Sequence, residues 1–411
     1  MTLDDGRPRP SLTPPQFASS LAQPSVAPAT QIPAVAPGTQ PVAAVAGGAV
    51  PVTGTRVRSA ALWAAGALVL VLVVLVAYFL NALGAGASVI GMLLALVPLA
   101  GVLFAVRIID RWEPEPFSLR AFAVAWGAIA AVGIALGVDL LLTIAIGNDG
   151  SPTREAMAAV VQAPIVEEVA KGIGVFLIFA AARRSFDGPV DGIVYGALVG
   201  AGFAFTENIQ YFAISAIQGG ATEAGATFFV RGILSPFAHV MFTSVTGFAL
   251  GLAARRGASA GAAVGPWLAG LAGAIALHAL WNGSAVFGDF FALYVVLQIP
   301  LFVVFILGIV ALRREEARLT RNRLGEYAAA GWFTPQEADM LATPAGRKTG
   351  LAWARTLRGD RTAIMKQFIA DATALAAARQ RVITGRDPHA AADERALLES
   401  TARARQALFA L

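Results

Sequence analysis

A chain of 411 residues that is 57% hydrophobic and 14% charged, with a mean hydropathy of +0.67, is too apolar for a soluble globular protein. It has no cysteine, which excludes disulfides, thiolate metal sites and a cysteine nucleophile. The formal net charge of +5 fits basic loops along one side of a membrane and does not point to nucleic acid.

Residues 1–55 hold ten of the 22 prolines among Ala, Gly, Thr and Gln. They lack helical or strand periodicity, so a disordered tail is expected. No signal-peptide core is readable in them. Apolar runs follow at 60–83, 89–106, 119–147, 157–182, 190–217, 231–254, 264–287 and 290–312. Each is close to or above the roughly 20 residues that cross a hydrocarbon layer. The expected fold is therefore all-α: a polytopic membrane bundle of about eight transmembrane helices within residues 56–317. Arg56, Arg58, Arg107, Arg111, Arg183, Arg184, Arg255, Arg256, Arg313 and Arg314 fall on one side if the runs alternate, against Arg154 and Arg231 on the other. By the positive-inside rule both termini are then cytoplasmic. From residue 318 to 411 the composition turns to Arg, Glu and Ala, which reads as a small helical cytoplasmic region. Thr334, Pro335 and Glu337 have the spacing of a capped helix start, and "DERALLESTARARQALFAL" that of an amphipathic final helix.

The informative residues are those that a bilayer should exclude. "APIVEEVAKG" puts Glu167, Glu168 and Lys171 in the fourth run, "FAFTENIQY" puts Glu207 in the fifth, "SPFAHVMFT" puts His239 in the sixth, and "ALHALWNGS" puts His278 and Asn282 in the seventh. A charge near the bilayer centre costs at least a few kcal/mol, so by default it has a partner and a task. At about 1.5 Å per residue, Glu167 and Glu207 lie roughly 15 Å below the outer end of their runs, His239 roughly 12 Å and His278 roughly 13 Å. Four consecutive runs thus carry their costly residues at one level. Glu167 and Lys171, like His278 and Asn282, are i,i+4 pairs on one helix face.

Two histidines and several carboxylates without cysteine suit an oxygen–nitrogen zinc site. His239 and His278 would be ligands together with Glu207 or one of Glu167 and Glu168, a remaining glutamate serving as base. The same residues suit a metal-free route in which Glu167 or Glu168 activates water and His239, His278 or Asn282 stabilises the oxyanion. Spacing does not choose between them. A structural ion cluster and an ion- or proton-coupled transporter are the rival readings, and a catalytically inactive scaffold is a third. "DRWEPEPF", residues 110–117, reads as a proline-stiffened loop at the membrane edge.

In order along the chain, "PIVEEVAKG", "GFAFTENIQYF", "PFAHVMFTSVTGFALG" and "LHALWNG" resemble the PrsW family of intramembrane proteases, which is generally classed with the metalloproteases, with distant similarity to the CAAX prenyl-endopeptidase superfamily. The resemblance covers roughly residues 85–312. It implies an endopeptidase acting on membrane-tethered proteins such as anti-sigma factors, and it implicates Glu167, Glu168 and His239, with Glu207 and His278 as further site residues. In the distant superfamily the counterpart of the glutamate pair activates water and H-x-x-x-N matches His278 and Asn282. Lys171 departs from its E-E-x-x-x-R pattern, in which the basic residue stands one position later.

Overall fold

A computed structural model of the protein describes residues 54–409 except 112, 148 and 149. The expected disordered tail lies outside the described residues, apart from residues 54 and 55. Every regular element among the described residues is helical. The first three long helices are α1 (Gly54–Ala82), α2 (Ala85–Ile109) and α3 (Phe117–Ile146). A short helix, Pro152–Met157, and a π-helical stretch, Ala158–Gln162, lead into α4 (Ala163–Ala181). Next come α5 (Pro189–Phe228), a π-helical stretch at Phe229–Leu234, α6 (Ala238–Arg255) and α7 (Val264–Phe287). The last membrane element is α8 (Ile299–Ala329).

Among the described residues, six helical stretches are long and apolar enough to cross a membrane, against the eight runs expected. The difference has two physical causes. The run at 157–182 carries three charges, Glu167, Glu168 and Lys171. The runs at 190–217 and 231–254 merge into one apolar stretch, Pro189–Arg255, kinked at Gly219 and Gly220. Large side chains such as Ile144 (72% exposed) and Val296 (68% exposed) face outward, as lipid-facing residues do.

The centre of the bundle is α4, α5 and α6. Val175, Ile178 and Phe179 of α4 pack with Val194, Tyr195 and Leu198 of α5 and Leu250 of α6 in a fully buried core. A glycine ladder sets the α5–α6 spacing. Gly192, Gly196 and Gly200 recur every fourth residue on α5 and face Gly247, Thr243 and His239 of α6, which also recur every fourth residue. A Cβ on Gly192 would overlap the Gly247 carbonyl, and one on Gly196 would stand 2.6 Å from the Thr243 carbonyl oxygen. Small residues at this spacing let two backbones approach closely. Replacing Gly192 by Ala is expected to force the helices apart at a cost of about 1–3 kcal/mol, the range for overpacking; unfolding of the detergent-solubilised variant measures it.

At the membrane edge the loop 110–116 closes on itself. Asp110 Oδ2 accepts the Glu115 N–H at 3.0 Å, and the Tyr195 hydroxyl donates to Glu115 Oε2 at 2.6 Å. Burial pushes the Glu115 carboxyl up to about 9.

The helices α9 (Pro335–Ala342), α10 (Pro344–Thr356), α11 (Thr362–Thr384) and α12 (Ala390–Phe409) gather around a second core with Leu324 and Tyr327 from the end of α8. The expected cap of α9 is present: Thr334 Oγ1 accepts from the Glu337 N–H, and Glu337 Oε2 from the Thr334 N–H. Arg386, between α11 and α12, donates to the carbonyls of Phe179, at the end of α4, and Phe186, and its guanidinium covers the Phe179 ring.

Candidate active site

Four elements deliver the polar residues to one place. On α4, Lys171 reaches back along the helix, its Nζ 2.7 Å from Glu168 Oε1 and 3.4 Å from Glu167 Oε2. Lys171 and Glu168 are fully buried, whereas the Glu167 side chain is 13% exposed. The backbone of this turn is pinned on two sides. Trp126 Nε1 donates to the Ala170 carbonyl and Trp267 Nε1 to the Gly172 carbonyl, each at 3.0 Å.

Both oxygens of Glu168 are engaged. Oε1 also accepts from His278 Nδ1 at 3.0 Å, and Oε2 accepts from Thr243 Oγ1 at 3.1 Å. With its proton on Nδ1, His278 presents the Nε2 lone pair, which lies 3.9 Å from Glu167 Oε2. The second imidazole follows the same plan. His239 Nε2 is 3.0 Å from Glu207 Oε2, and its Nδ1 lies 3.1 Å from Lys171 Nζ. An ammonium can only donate, so Nδ1 carries the lone pair and Nε2 the proton given to Glu207. Glu207 in turn takes the Arg231 guanidinium, whose Nε reaches Asn208 Oδ1 at 2.8 Å and whose plane covers the Tyr211 ring at 3.8 Å.

Aromatic rings wall the cluster. Phe242 stacks on His278 with centroids 5.0 Å apart, His239 meets His278 edge-on at the same distance, and Lys171 Nζ lies 4.0 Å from the centre of Phe203. Three residues, Glu167, His239 and His278, each offer one ligand atom, and these atoms lie within 4.8 Å of one another. Two imidazoles and one carboxylate form a zinc-type donor set. Each imidazole also has its other nitrogen held by a carboxylate, the arrangement that orients a ligating histidine. The donor set therefore fits a divalent metal.

Of the residues singled out in the sequence, Glu167, Glu168, Lys171, Glu207, His239 and His278 come together. Glu207 stands outside the group of three, holding His239 from behind. Asn282 lies one turn beyond His278 and donates to the Ala159 carbonyl at 2.8 Å, tying α7 to the stretch that leads into α4. The sequence reading missed Arg231, Thr243 and the two tryptophans. Arg231 opens the run 231–254 and counts in the sequence only as an outer-side charge. Thr243 is i+4 from His239 on one face. Nothing in the spacing marks Trp126 or Trp267.

A family model described as PrsW family intramembrane metalloprotease matches residues 115–306, which hold every member of this cluster. The chain is 29% identical over 144 residues to a protein named Protease PrsW of Geobacillus kaustophilus (strain HTA426), covering 35% of this chain and 58% of that one. It is 30% identical over 158 residues to Protease PrsW of Clostridioides difficile (strain 630), covering 38% and 63%. The matched part thus spans about three fifths of each relative. No solved structure matches significantly.

Proposed function

With residues 115–306 matching the PrsW family model and two PrsW proteases 29–30% identical to part of the chain, we propose that the chain is an integral-membrane endopeptidase that hydrolyses a peptide bond in a membrane-tethered protein. The observation that carries this reading is the convergence of Glu167, His239 and His278 within 4.8 Å. The depth estimated from the sequence supports cleavage in or near the outer half of the bilayer, and the distribution of arginines supports both termini on the cytoplasmic side. A regulatory protein of the anti-sigma type is the substrate class that the family resemblance suggests.

Glu167, His239 and His278 would hold the metal, zinc by donor type. When bound, it supplies an acidified water and polarises the scissile carbonyl. The chain's own residues then divide the remaining work. Glu168 fixes the His278 tautomer, and Glu207, fixed by Arg231, does the same for His239. Lys171 balances the negative charge of the glutamate pair. Phe203 and Phe242 exclude bulk water, which strengthens every charge interaction in the site. The partly exposed Glu167 is the carboxylate within reach of an entering substrate.

One observation favours a second route at the same residues. Lys171 Nζ contacts Glu167 Oε2 and His239 Nδ1, and an ammonium competes with a dication for them. In that route Glu167 activates water directly. Metal content of the purified protein beside His239→Ala separates the two. About one zinc per chain, lost together with cleavage of a membrane reporter in the variant, is the expected result. Metal-free protein whose cleavage survives chelation would transfer the proposal to the second route.

A further inference from the structure

A second built cavity lies about where the apolar runs end. It is a cleft of about 360 Å³ between the end of α2, the middle of α8 and the helices α9 to α11. Its membrane-ward wall is aliphatic, formed by Ile108 and Ile109 of α2 and Ile309 and Val310 of α8. Ile108 and Val310 are 58% and 40% exposed, as residues facing lipid chains would be. Its far wall is basic, with Arg313, Arg314 and Arg347. Arg347 is only 4% exposed and donates to the Leu341 carbonyl at 2.5 Å. Burial and the neighbouring Arg313 push its guanidinium down to about 10, so two like charges press on each other across the cleft. Pro344, the first residue of α10, also lines it, bringing the positive end of a helix dipole to the same wall.

Two carboxylates, Glu113 and Glu316, line the cleft as well, against three arginines. Glu316 is taken up by Arg313. Burial, and then Asp187 and Glu316, push the Glu113 carboxyl up to about 8. An apolar wall that continues the membrane surface, joined to a basic wall where the aliphatic helices end, fits an amphiphile with a negative head. A basic pocket between membrane helices at the headgroup level is a site for anionic lipid.

We propose that this cleft binds an anionic glycerophospholipid, its phosphate against Arg313, Arg314 and Arg347 and its acyl chains along Ile108 and Val310. The lipid would join the membrane bundle to the α9–α12 helices. Native mass spectrometry of the delipidated full chain, titrated with phosphatidylglycerol or phosphatidylcholine of matched chains, tests this. Tighter binding of phosphatidylglycerol is expected. Arg314→Gln, at an exposed position, should weaken it about fivefold and Arg313→Gln/Arg314→Gln about 25-fold, about fivefold per basic residue. Arg358→Gln, remote from the cleft, should leave it unchanged. Equal affinity for the two lipids, or wild-type affinity in Arg314→Gln, would overturn the assignment. So would glycerol phosphate competing as well as the intact lipid, which would make the cleft a site for a soluble phosphate. Reporter cleavage is not read, so the outcome is independent of the protease reading.

Discussion

Glu167→Gln is expected to reduce reporter cleavage by about a hundred- to ten-thousandfold, the range for losing an acid–base group, and to cut it as well if Glu167 holds the metal, while leaving thermal unfolding in detergent close to wild type. Its neighbour should behave differently. Glu167 is the partly exposed member of the pair and touches Lys171 at 3.4 Å, so a neutral amide there leaves the buried ion pair intact. Glu168 is fully buried and serves Lys171, His278 and Thr243 at once. A glutamine has one acceptor oxygen and cannot serve all three. Glu168→Gln should therefore lose both cleavage and stability, the latter by about 3–5 kcal/mol, the cost of breaking a buried pair. Measuring cleavage and unfolding on both variants separates a group at the reacting centre from one that positions it. Wild-type cleavage by Glu167→Gln would refute the role given to that residue.

The second large effect belongs to Lys171. Its Nζ is fully buried within 3.4 Å of two carboxylates and an imidazole. Lys171→Met keeps the volume but strands Glu168 without its cation, and about 3–5 kcal/mol of stability should be lost. Adding Glu168→Gln to Lys171→Met should recover part of that loss, because both charges then leave together. A double-mutant cycle from unfolding measurements reads the coupling directly. Lys171→Arg should rescue poorly, since Phe203 closes the space 4.0 Å from the ammonium. An unfolding midpoint for Lys171→Met equal to wild type would show that the pair contributes nothing to stability.

The helical class and the members of the cluster were legible in the sequence because a bilayer makes charge conspicuous. Glu167, Glu207, His239 and His278 stand out against alanine and leucine at one estimated depth, and the structure brings them into contact. The division of labour was not legible. Adjacent glutamates point about 100° apart on a helix, and only the neighbouring helices decide that Glu168 is enclosed and Glu167 is not. Glu207 ranked as a ligand by type, yet the course of α6 turns His239 between it and Lys171. That course rests on Gly192, Gly196 and Gly200, a repeat visible in the sequence whose meaning depends on the partner it meets on α6. The number of spans was read from the apolar runs and the arginines between them, and neither shows whether the charged α4 crosses the bilayer or that α5 and α6 are joined by π-helical backbone.

The clamp formed by Arg386 has a consequence in the order of synthesis. Its two acceptors, the carbonyls of Phe179 and Phe186, precede it by 207 and 200 residues. At typical elongation rates of about 5–20 residues per second, that gap is roughly 10–40 s. The helix bearing Glu167, Glu168 and Lys171 is thus translated and handed to the membrane well before the residue that binds its final carbonyls exists. For that interval the nascent protein holds the glutamate pair on a helix whose end is not yet secured. The finished arrangement waits until the chain has been made as far as Arg386.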